Sequence, residues 1–198
     1  LAEWQGAGIN TETMSESEVI RLALERAIVG SHRHVFGTIF WFMVPMGPAG
    51  VVLYRLVDMA AQRWPSQASA SLGQAARDFF QLIDWVPVRL TAMGFAIVGN
   101  FEDAMYGWRY HLRKWSNELE AVILAAGAGA LGVRLGAPLP EPDSDEALRM
   151  AEAGEPPIHD LGHEASIRSL RSAVGLVWRA VILWLTLIAL MTISVWIG

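Results

Sequence analysis

The apolar and polar positions of the chain first follow a regular pattern near the N-terminus. Within residues 11–34, Val19 and Leu22 belong to a set of apolar side chains that recur at helical intervals. Ser15 and Glu18 have the spacing of a capping box, in which each side chain satisfies a free backbone N–H at the start of a helix. The pattern predicts an amphipathic helix that lies either at a membrane surface or against the rest of the protein.

Two uncharged blocks approach the roughly 20 residues of helix that are needed to cross a hydrocarbon core of about 30 Å. They are residues 35–54 and residues 181–198. The first block contains Pro45 and Pro48, and each proline removes a backbone hydrogen-bond donor. We therefore expect a kinked span over 35–54 or, alternatively, a broken or re-entrant pair of half-helices. The second block is expected to be a regular transmembrane helix.

Two further apolar segments carry interruptions. Residues 79–99 contain Asp84, Pro87 and Arg89, and a charge near the bilayer centre costs about 2.5–3.5 kcal/mol on insertion scales. We interpret this segment as a span with a buried polar patch, and an interfacial position is the alternative. Residues 121–137 are rich in small side chains and are a second candidate span.

The polar stretches complete the predicted organisation. Acidic residues are concentrated after residue 138, whereas Arg168, Arg171 and Arg179 precede the last apolar block and no charge follows it. The positive-inside rule then places the acidic loop in the cytoplasm and the C-terminus outside. We divide the chain into an amphipathic N-terminal helix (1–34), a membrane core (35–137), an acidic loop (138–171) and a C-terminal transmembrane helix (172–198).

Composition supports a membrane protein. The chain is 53% hydrophobic and 18% charged, against about 25% charged residues in a typical soluble domain. The net charge of -5 argues against nucleic acid as a partner, and the absence of cysteine excludes disulfides and thiolate sites. The predicted fold is an all-α, polytopic helical membrane protein with a kinked or broken helix, and its first partner is the lipid bilayer. Because the chain begins with Leu1 and shows no signal peptide, we interpret it as a fragment that lacks an N-terminal part.

One short motif is misleading. Gly127, Gly129 and Gly132 fit the G-x-G-x-x-G pattern of a dinucleotide-binding turn. That fold needs a second strand after the helix and an acid about 20 residues further on, whereas here a proline-containing acidic segment follows. Small residues at this spacing also let membrane helices approach closely, so we interpret the glycines as a helix-packing surface.

The histidines predict no metal site. His32 and His34 flank Arg33, whose positive charge opposes a metal ion, and we expect both to be interfacial polar residues. His159 and His163 have the i, i+4 spacing of a helical zinc pair. The prolines before them and Gly162 between them make a stable helix there a poor prediction.

Three stretches together resemble a known family. They are Pro48-Ala-Gly-Val-Val-Leu-Tyr-Arg55, Asp84-Trp-Val-Pro-Val-Arg-Leu90 and Gly129-Ala-Leu-Gly-Val-Arg-Leu-Gly136. Their order and spacing are similar to those of the CobD/CbiB superfamily of membrane proteins, including its AmpE-like branch. The resemblance implies a multi-pass protein of the bacterial inner membrane. With the orientation given by the positive-inside rule, the loop 138–171 lies in the cytoplasm and the C-terminus in the periplasm.

The resemblance also implies a reaction. Full members of the superfamily make adenosylcobinamide phosphate by joining an aminopropanol phosphate to a cobyric acid carboxylate, with ATP and Mg²⁺. Their acidic pattern resembles E-x-x-x-E-N-x-x-D, of which only Glu25 has a counterpart here, while Arg33 stands at an acidic position. We therefore expect a divergent member without synthase activity or cofactor, in a regulatory or accessory role beside itself or other membrane subunits. The alternative is an ATP-dependent, amide-forming enzyme of cobalamin assembly.

Several charged residues are candidate ligand contacts. For Asp84 and Arg89 the structural alternative is a buried ion pair that fixes the kinked segment, and the functional one is a polar floor for an anionic ligand. For Arg134 the alternatives are a snorkelling or paired arginine and a phosphate contact. The full set of ligand-binding candidates is Glu25, Arg77, Asp78, Asp84, Arg89 and Arg134.

Overall fold

The structure is a computed structural model, and it describes residues 15–44, 47–63, 70–105, 118–135 and 162–197. Every regular element within these ranges is helical, which confirms the all-α fold. In chain order they are α1 (Glu16–Ser31), a π-helical turn (His32–Phe36), α2 (Gly37–Met43), α3 (Pro48–Arg63), α4 (Ala70–Val98), α5 (residues 101–105), α6 (Glu118–Leu131) and α7 (Ile167–Ile197).

Helix α1 begins with the predicted capping box. The Ser15 side chain accepts from the Glu18 backbone N–H, and the Glu18 carboxylate accepts from the Ser15 backbone N–H. Leu24 and Ile28 are fully buried, and the helix packs with α6 and α7, whereas Val19 and Leu22 are half-buried. Of the two alternatives for this helix, the structure therefore shows packing against the rest of the protein.

Residues 35–54 do not form a single crossing. The chain turns at Gly47, whose φ of 53° is in the left-handed region, and α2 and α3 pack against each other as a helical hairpin. A Cβ atom on Gly37 would overlap the ring of Tyr54, so the absence of a side chain allows this close approach. Helix α2 continues α1 and the π-helical turn without a break, and the apolar part from Val35 to Met43 extends only about 13 Å before the turn. The prediction of one kinked span was wrong, and the alternative pair of half-helices was correct.

Within the described ranges, two helices are long and apolar enough to cross a membrane. They are the segment Leu72–Val98 of α4 and the whole of α7, Ile167–Ile197. The most apolar window of α7 is only 11% buried inside the protein, which fits a helix whose surroundings are lipid. These helices are consistent with a helical membrane protein, and by length and composition they coincide with the predicted spans at 79–99 and at the C-terminus. Helix α7 begins five residues before the predicted boundary at 172.

Helices α4 and α7 pack antiparallel. The indole of Trp184 lies next to Gly94, and the Arg179 guanidinium donates to the carbonyl of Val98. Pro87 lies inside α4, and the Thr91 hydroxyl donates to its carbonyl.

Helix α6 is a buried packing element and not a span. Its 14 residues extend about 21 Å, less than the hydrocarbon core, and its side chains from Ala121 to Ala126 are buried in the bundle. A Cβ atom on Gly129 would overlap the backbone of Ala104, and one on Gly127 would lie 3.0 Å from Ile28. Gly127 and Gly129 are thus used for helix packing, as predicted, whereas Gly132 has a φ of 62° and nothing within 4 Å of its would-be Cβ atom. The candidate span at 121–137 was wrong.

Candidate functional site

The polar centre of the bundle is built around a buried histidine. His32 lies in the π-helical turn with 1% of its surface exposed, and its Nε2 is 3.0 Å from Oδ1 of Asp84 on α4. Tyr54 on α3 donates its hydroxyl proton to the same carboxylate oxygen at 3.0 Å. On the other side of the ring, Nδ1 lies 2.9 Å from Oγ1 of Thr91. Three separate parts of the chain are joined by this network.

The order Asp84, His32, Thr91 has the appearance of a nucleophilic triad, but the surroundings of Thr91 argue against one. The Thr91 hydroxyl has one proton, and both the carbonyl of Pro87 and Nδ1 of His32 lie 2.9 Å from its oxygen. Thr91 is also fully buried, which leaves no approach for a substrate. The network therefore orients His32 and Asp84 and supplies no hydroxyl nucleophile.

A second polar group lies beside the first and is made mainly of ion pairs. Arg33 donates from Nη2 to Glu120 on α6 at 2.7 Å, and its Nη1 lies 3.9 Å from Asp58 on α3. Asp58, with 2% of its surface exposed, also accepts from Arg55 at 3.3 Å and from the amide of Gln62. Arg33 thus contacts two carboxylates and crosslinks α3 and α6.

The two groups border one cleft with a volume of about 130 Å³. Its polar lining comprises His32, Arg33, Asp58, Gln62, Arg77, Gln81, Asp84 and Glu120, with Phe80 and other apolar side chains between them. Arg77 bonds the amide oxygen of Gln74 at 3.2 Å and has no carboxylate partner among the residues that the structure describes. The cleft therefore contains one arginine, Arg77, that forms no ion pair with a described acid. It also contains three carboxylates, those of Asp58, Asp84 and Glu120.

Two of the predicted ligand residues, Arg77 and Asp84, line this cleft. The predicted ion pair between Asp84 and Arg89 is wrong, because Asp84 bonds His32 and Tyr54 instead. Five residues separate Asp84 from Arg89, and this spacing on a helix places the two side chains on different faces. Arg89 stacks on the indole of Trp85 on the outer side of α4.

The other candidates lie elsewhere in the described structure. Glu25 faces Arg21 on α1 at 3.8 Å, and Asp78 accepts from the amide of Gln74. Arg134 donates from Nε to the carbonyl of Gly162 at 2.8 Å. The backbone of this segment forms an isolated bridge to the start of the α7 segment, with the Arg134 N–H bonded to the His163 carbonyl at 2.9 Å. None of these side chains borders the cleft.

The histidine predictions are partly wrong. His32 is buried and bonded on both ring nitrogens, whereas an interfacial residue would face water or headgroups. His34 is exposed and its Nδ1 lies 2.7 Å from Nη1 of Arg55. His159 lies outside the described residues.

Sequence reasoning missed Tyr54, Asp58 and Glu120. A signal was present for the first two, since Tyr54, Asp58 and Gln62 follow one another at intervals of four and share one face of α3. Glu120 gave no comparable signal. It sits at the polar end of α6, and only the fold brings it to Arg33.

The cleft was compared with the nucleotide and metal that the family resemblance implies. Within the described ranges, no three His, Asp or Glu side chains are grouped so that they could hold a metal ion. Pockets for whole cofactors have volumes of about 300–1,000 Å³, well above that of this cleft. The described cleft fits a small polar molecule and does not fit a complete ATP–Mg²⁺ complex.

The fold and site define a helical membrane protein with a polar cleft lined by four helices and a π-helical turn. A family model described as CobD/CbiB protein matches residues 6–157, and the chain belongs to this family. It is 33% identical over 178 residues to "Cobalamin biosynthesis protein CobD" of Stutzerimonas stutzeri (strain A1501). The aligned region covers 89% of this chain and 56% of the relative. It is also 33% identical over 129 residues to the protein of the same name from Chromobacterium violaceum, which covers 64% of this chain and 41% of that relative.

The chain therefore spans about half the length of the curated relatives it matches. No solved structure matches it. Both relatives carry the CobD name, so these matches give no support to the AmpE-like branch or to an accessory subunit, and they favour the alternative of a role in cobalamin biosynthesis.

Proposed function

We propose that the full-length protein is an amide-forming enzyme of cobalamin assembly, of the type that produces adenosylcobinamide phosphate at the bacterial inner membrane. The expected accessory role depended on the loss of acidic residues next to Arg33. The cleft contains three carboxylates from other helices, Asp58, Asp84 and Glu120, and Arg33 is paired with two of them. Membership of the CobD/CbiB family and the names of both relatives support the same proposal.

The observation that carries the proposal is the mixed charge of the cleft. An aminopropanol phosphate has an ammonium group at one end and a phosphate at the other. Arg77, which has no acidic partner in the described part of the chain, offers a planar fork of N–H donors for a phosphate. The carboxylates of Asp58 and Asp84 provide the opposite charge for an ammonium group. A cleft of about 130 Å³ suits a molecule of this small size.

The larger reactants are assigned to other parts of the full-length protein. The described cleft does not fit a nucleotide, so ATP, Mg²⁺ and cobyric acid are proposed to bind at its opening or beyond it. The enzyme is proposed to keep the predicted orientation, with the loop 138–171 in the cytoplasm, where ATP is available. Its partners are proposed to be the bilayer and membrane segments of its own or other subunits.

The test is genetic complementation in a corrinoid-producing host. Deletion of the gene is expected to abolish corrinoid formation from added cobyric acid, and added cobinamide is expected to restore it. Full-length protein with Arg77→Met should fail to complement, whereas Arg26→Met, at an exposed position on α1 away from the cleft, should complement fully. Normal corrinoid formation from cobyric acid in the deletion strain would refute the proposal.

A further inference from the structure

The outward face of α4 carries a charge where a lipid-facing helix should have none. The exposed apolar side chains of this face are Leu82, Trp85, Val86, Leu90 and Met93. On a helix with 3.6 residues per turn, Arg89 falls near the middle of this stripe. The face lies away from the cleft, since Asp84, Val88 and Thr91 are buried on the opposite side.

The depth of Arg89 follows from the packing of α4 on α7. Gly94 lies next to Trp184, and the two helices are antiparallel. Arg89 precedes Gly94 by five residues, or about 7.5 Å along the axis, which brings it level with about residue 189 of α7. The uncharged part of α7 extends from Ala180 to Ile197. Arg89 is therefore near the middle of the apolar layer and far from either edge.

The contacts of Arg89 leave most of its donors free. Its Nη1 donates to the carbonyl of Trp85 at 3.0 Å, and the guanidinium carbon lies 3.9 Å from the centre of the Trp85 ring. No carboxylate lies within ion-pair distance in the described part of the chain. Arginine has five N–H donors and stays charged, so a position in hydrocarbon requires a partner.

A second copy of the same surface does not supply this partner. Helix α7 has no acidic residue between Ala180 and Ile197, and Asp84, the acid of α4 at a similar depth, is buried against His32. Among the described residues, therefore, no outward-facing acid lies at the level of Arg89.

We propose that the outward face of α4 is an interface for a transmembrane helix that carries an Asp or Glu at mid-bilayer depth, and that this carboxylate pairs with Arg89. The guanidinium carbon lies 3.9 Å from the centre of the Trp85 ring, and the one described hydrogen bond uses Nη1, so donors are available for a two-pronged bond to a carboxylate. The apolar residues on either side, Leu82 and Met93, provide the packing surface along the helix. This interface is independent of the activity proposed for the cleft.

The experiment is site-specific photo-crosslinking of the full-length protein in its native membrane. A photoreactive phenylalanine analogue is placed at Met93, and the crosslinked peptides are sequenced. Leu187 on the exposed side of α7, which has no charged neighbour at this depth, is the matched control position. We expect the probe at Met93 to capture a transmembrane segment with an Asp or Glu, and the probe at Leu187 to capture lipid.

Charge exchange makes the test specific. Arg89→Glu should reduce the yield of this crosslink at least tenfold, and replacing the captured acid with Arg should restore it in the Arg89→Glu background. Three results would overturn the proposal: crosslinks at Met93 to lipid only, crosslinks to α4 or α7 of a second copy, or a crosslink whose yield is unchanged by Arg89→Glu. Extraction and size-exclusion behaviour of each variant, compared with the wild type, verifies that the protein still folds.

Discussion

His32 and Asp84 are separated by 52 residues in sequence and form the central contact of the bundle, with 3.0 Å between Nε2 and Oδ1. Both side chains are almost fully buried, and each has a second partner that fixes its orientation, Thr91 for the histidine and Tyr54 for the carboxylate. In an apolar surrounding, a polar group without its partner is costly, so the contact should be needed to join the π-helical turn to α4.

Asp84→Leu is expected to destabilise the protein by about 3–5 kcal/mol, because it leaves His32 buried without its acidic partner. The double variant His32→Leu with Asp84→Leu should regain a large part of this loss, since neither polar group then remains unpaired. Thermal unfolding in detergent, followed for both single variants and the double variant, measures the coupling. Strictly additive effects of the two substitutions would contradict it.

Tyr54→Phe removes one hydroxyl and keeps the ring. The hydroxyl donates to the Asp84 carboxylate, and a hydrogen bond to a charged group contributes about 1.5–3 kcal/mol. We expect a loss of stability in this range, measured by thermal unfolding. Tyr54→Phe combined with Asp84→Leu should cost little more than Asp84→Leu alone, and a full additional loss would show that the hydroxyl acts through another group.

Gly37→Ala tests the helical hairpin. The new methyl group would overlap the Tyr54 ring, so α2 and α3 must separate and the variant should lose stability by about 1–3 kcal/mol, as for other overpacked sites. Gly30→Ala is the matched control, because Gly30 is in α1 and nothing lies within 4 Å of its would-be Cβ atom. The control should be neutral or stabilising, by up to about 1 kcal/mol. Equal melting temperatures for the two variants would argue against the close α2–α3 packing.

Ser15→Ala removes the cap of α1 and should cost about 1 kcal/mol at neutral pH. The backbone N–H and the side chain of Ser15 lower the pKa of Glu18 below 4.5. A lowered pKa in the folded state contributes stability above the ordinary pKa, and this contribution is lost as the pH falls through the folded value. The difference between wild type and variant should therefore shrink as the pH falls below about 4.5. A pH-independent difference in thermal unfolding would contradict this account.

The orientation in the membrane has a direct test, because the chain contains no cysteine. Ser144→Cys, in the acidic loop, should react with a membrane-impermeant maleimide only after the cytoplasmic side is exposed in inverted vesicles. Gly198→Cys, at the other end of α7, should react from the periplasmic side of intact spheroplasts. Labelling of Ser144→Cys in intact spheroplasts would reverse the predicted orientation.

Much of the fold was predictable because long uncharged runs and helical periodicity are local properties. The capping box at Ser15, the span over 79–99 and the long C-terminal helix follow from neighbouring residues alone. The hairpin at residues 35–54 was ambiguous, since prolines in an apolar run are compatible with both a kink and a reversal. The alternative that formed depends on the close approach of Gly37 to Tyr54, and the sequence gives no direct sign of such a contact.

The site was less predictable for a physical reason. Asp84 was recognised because a charge in an apolar run is conspicuous, but its partner is decided by which helix packs on which face of α4. Arg89 is nearer to Asp84 in sequence than His32 is, but helix geometry places the Arg89 side chain on the outer face of α4. Asp58 and Glu120 lie in helices with polar neighbours, so their burial next to Arg33 depends on tertiary packing.

The backbone bridge between Val133 and His163 fastens together the two ends of the acidic segment between them. Because the bridge holds Val133 next to His163, a change in the length of the connection between them need not move either end. An epitope or a fluorescent domain inserted near Ser144 should leave the helical bundle intact. Because the bridge holds both ends, the segment between Val133 and His163 is a suitable position for attaching a reporter to the protein.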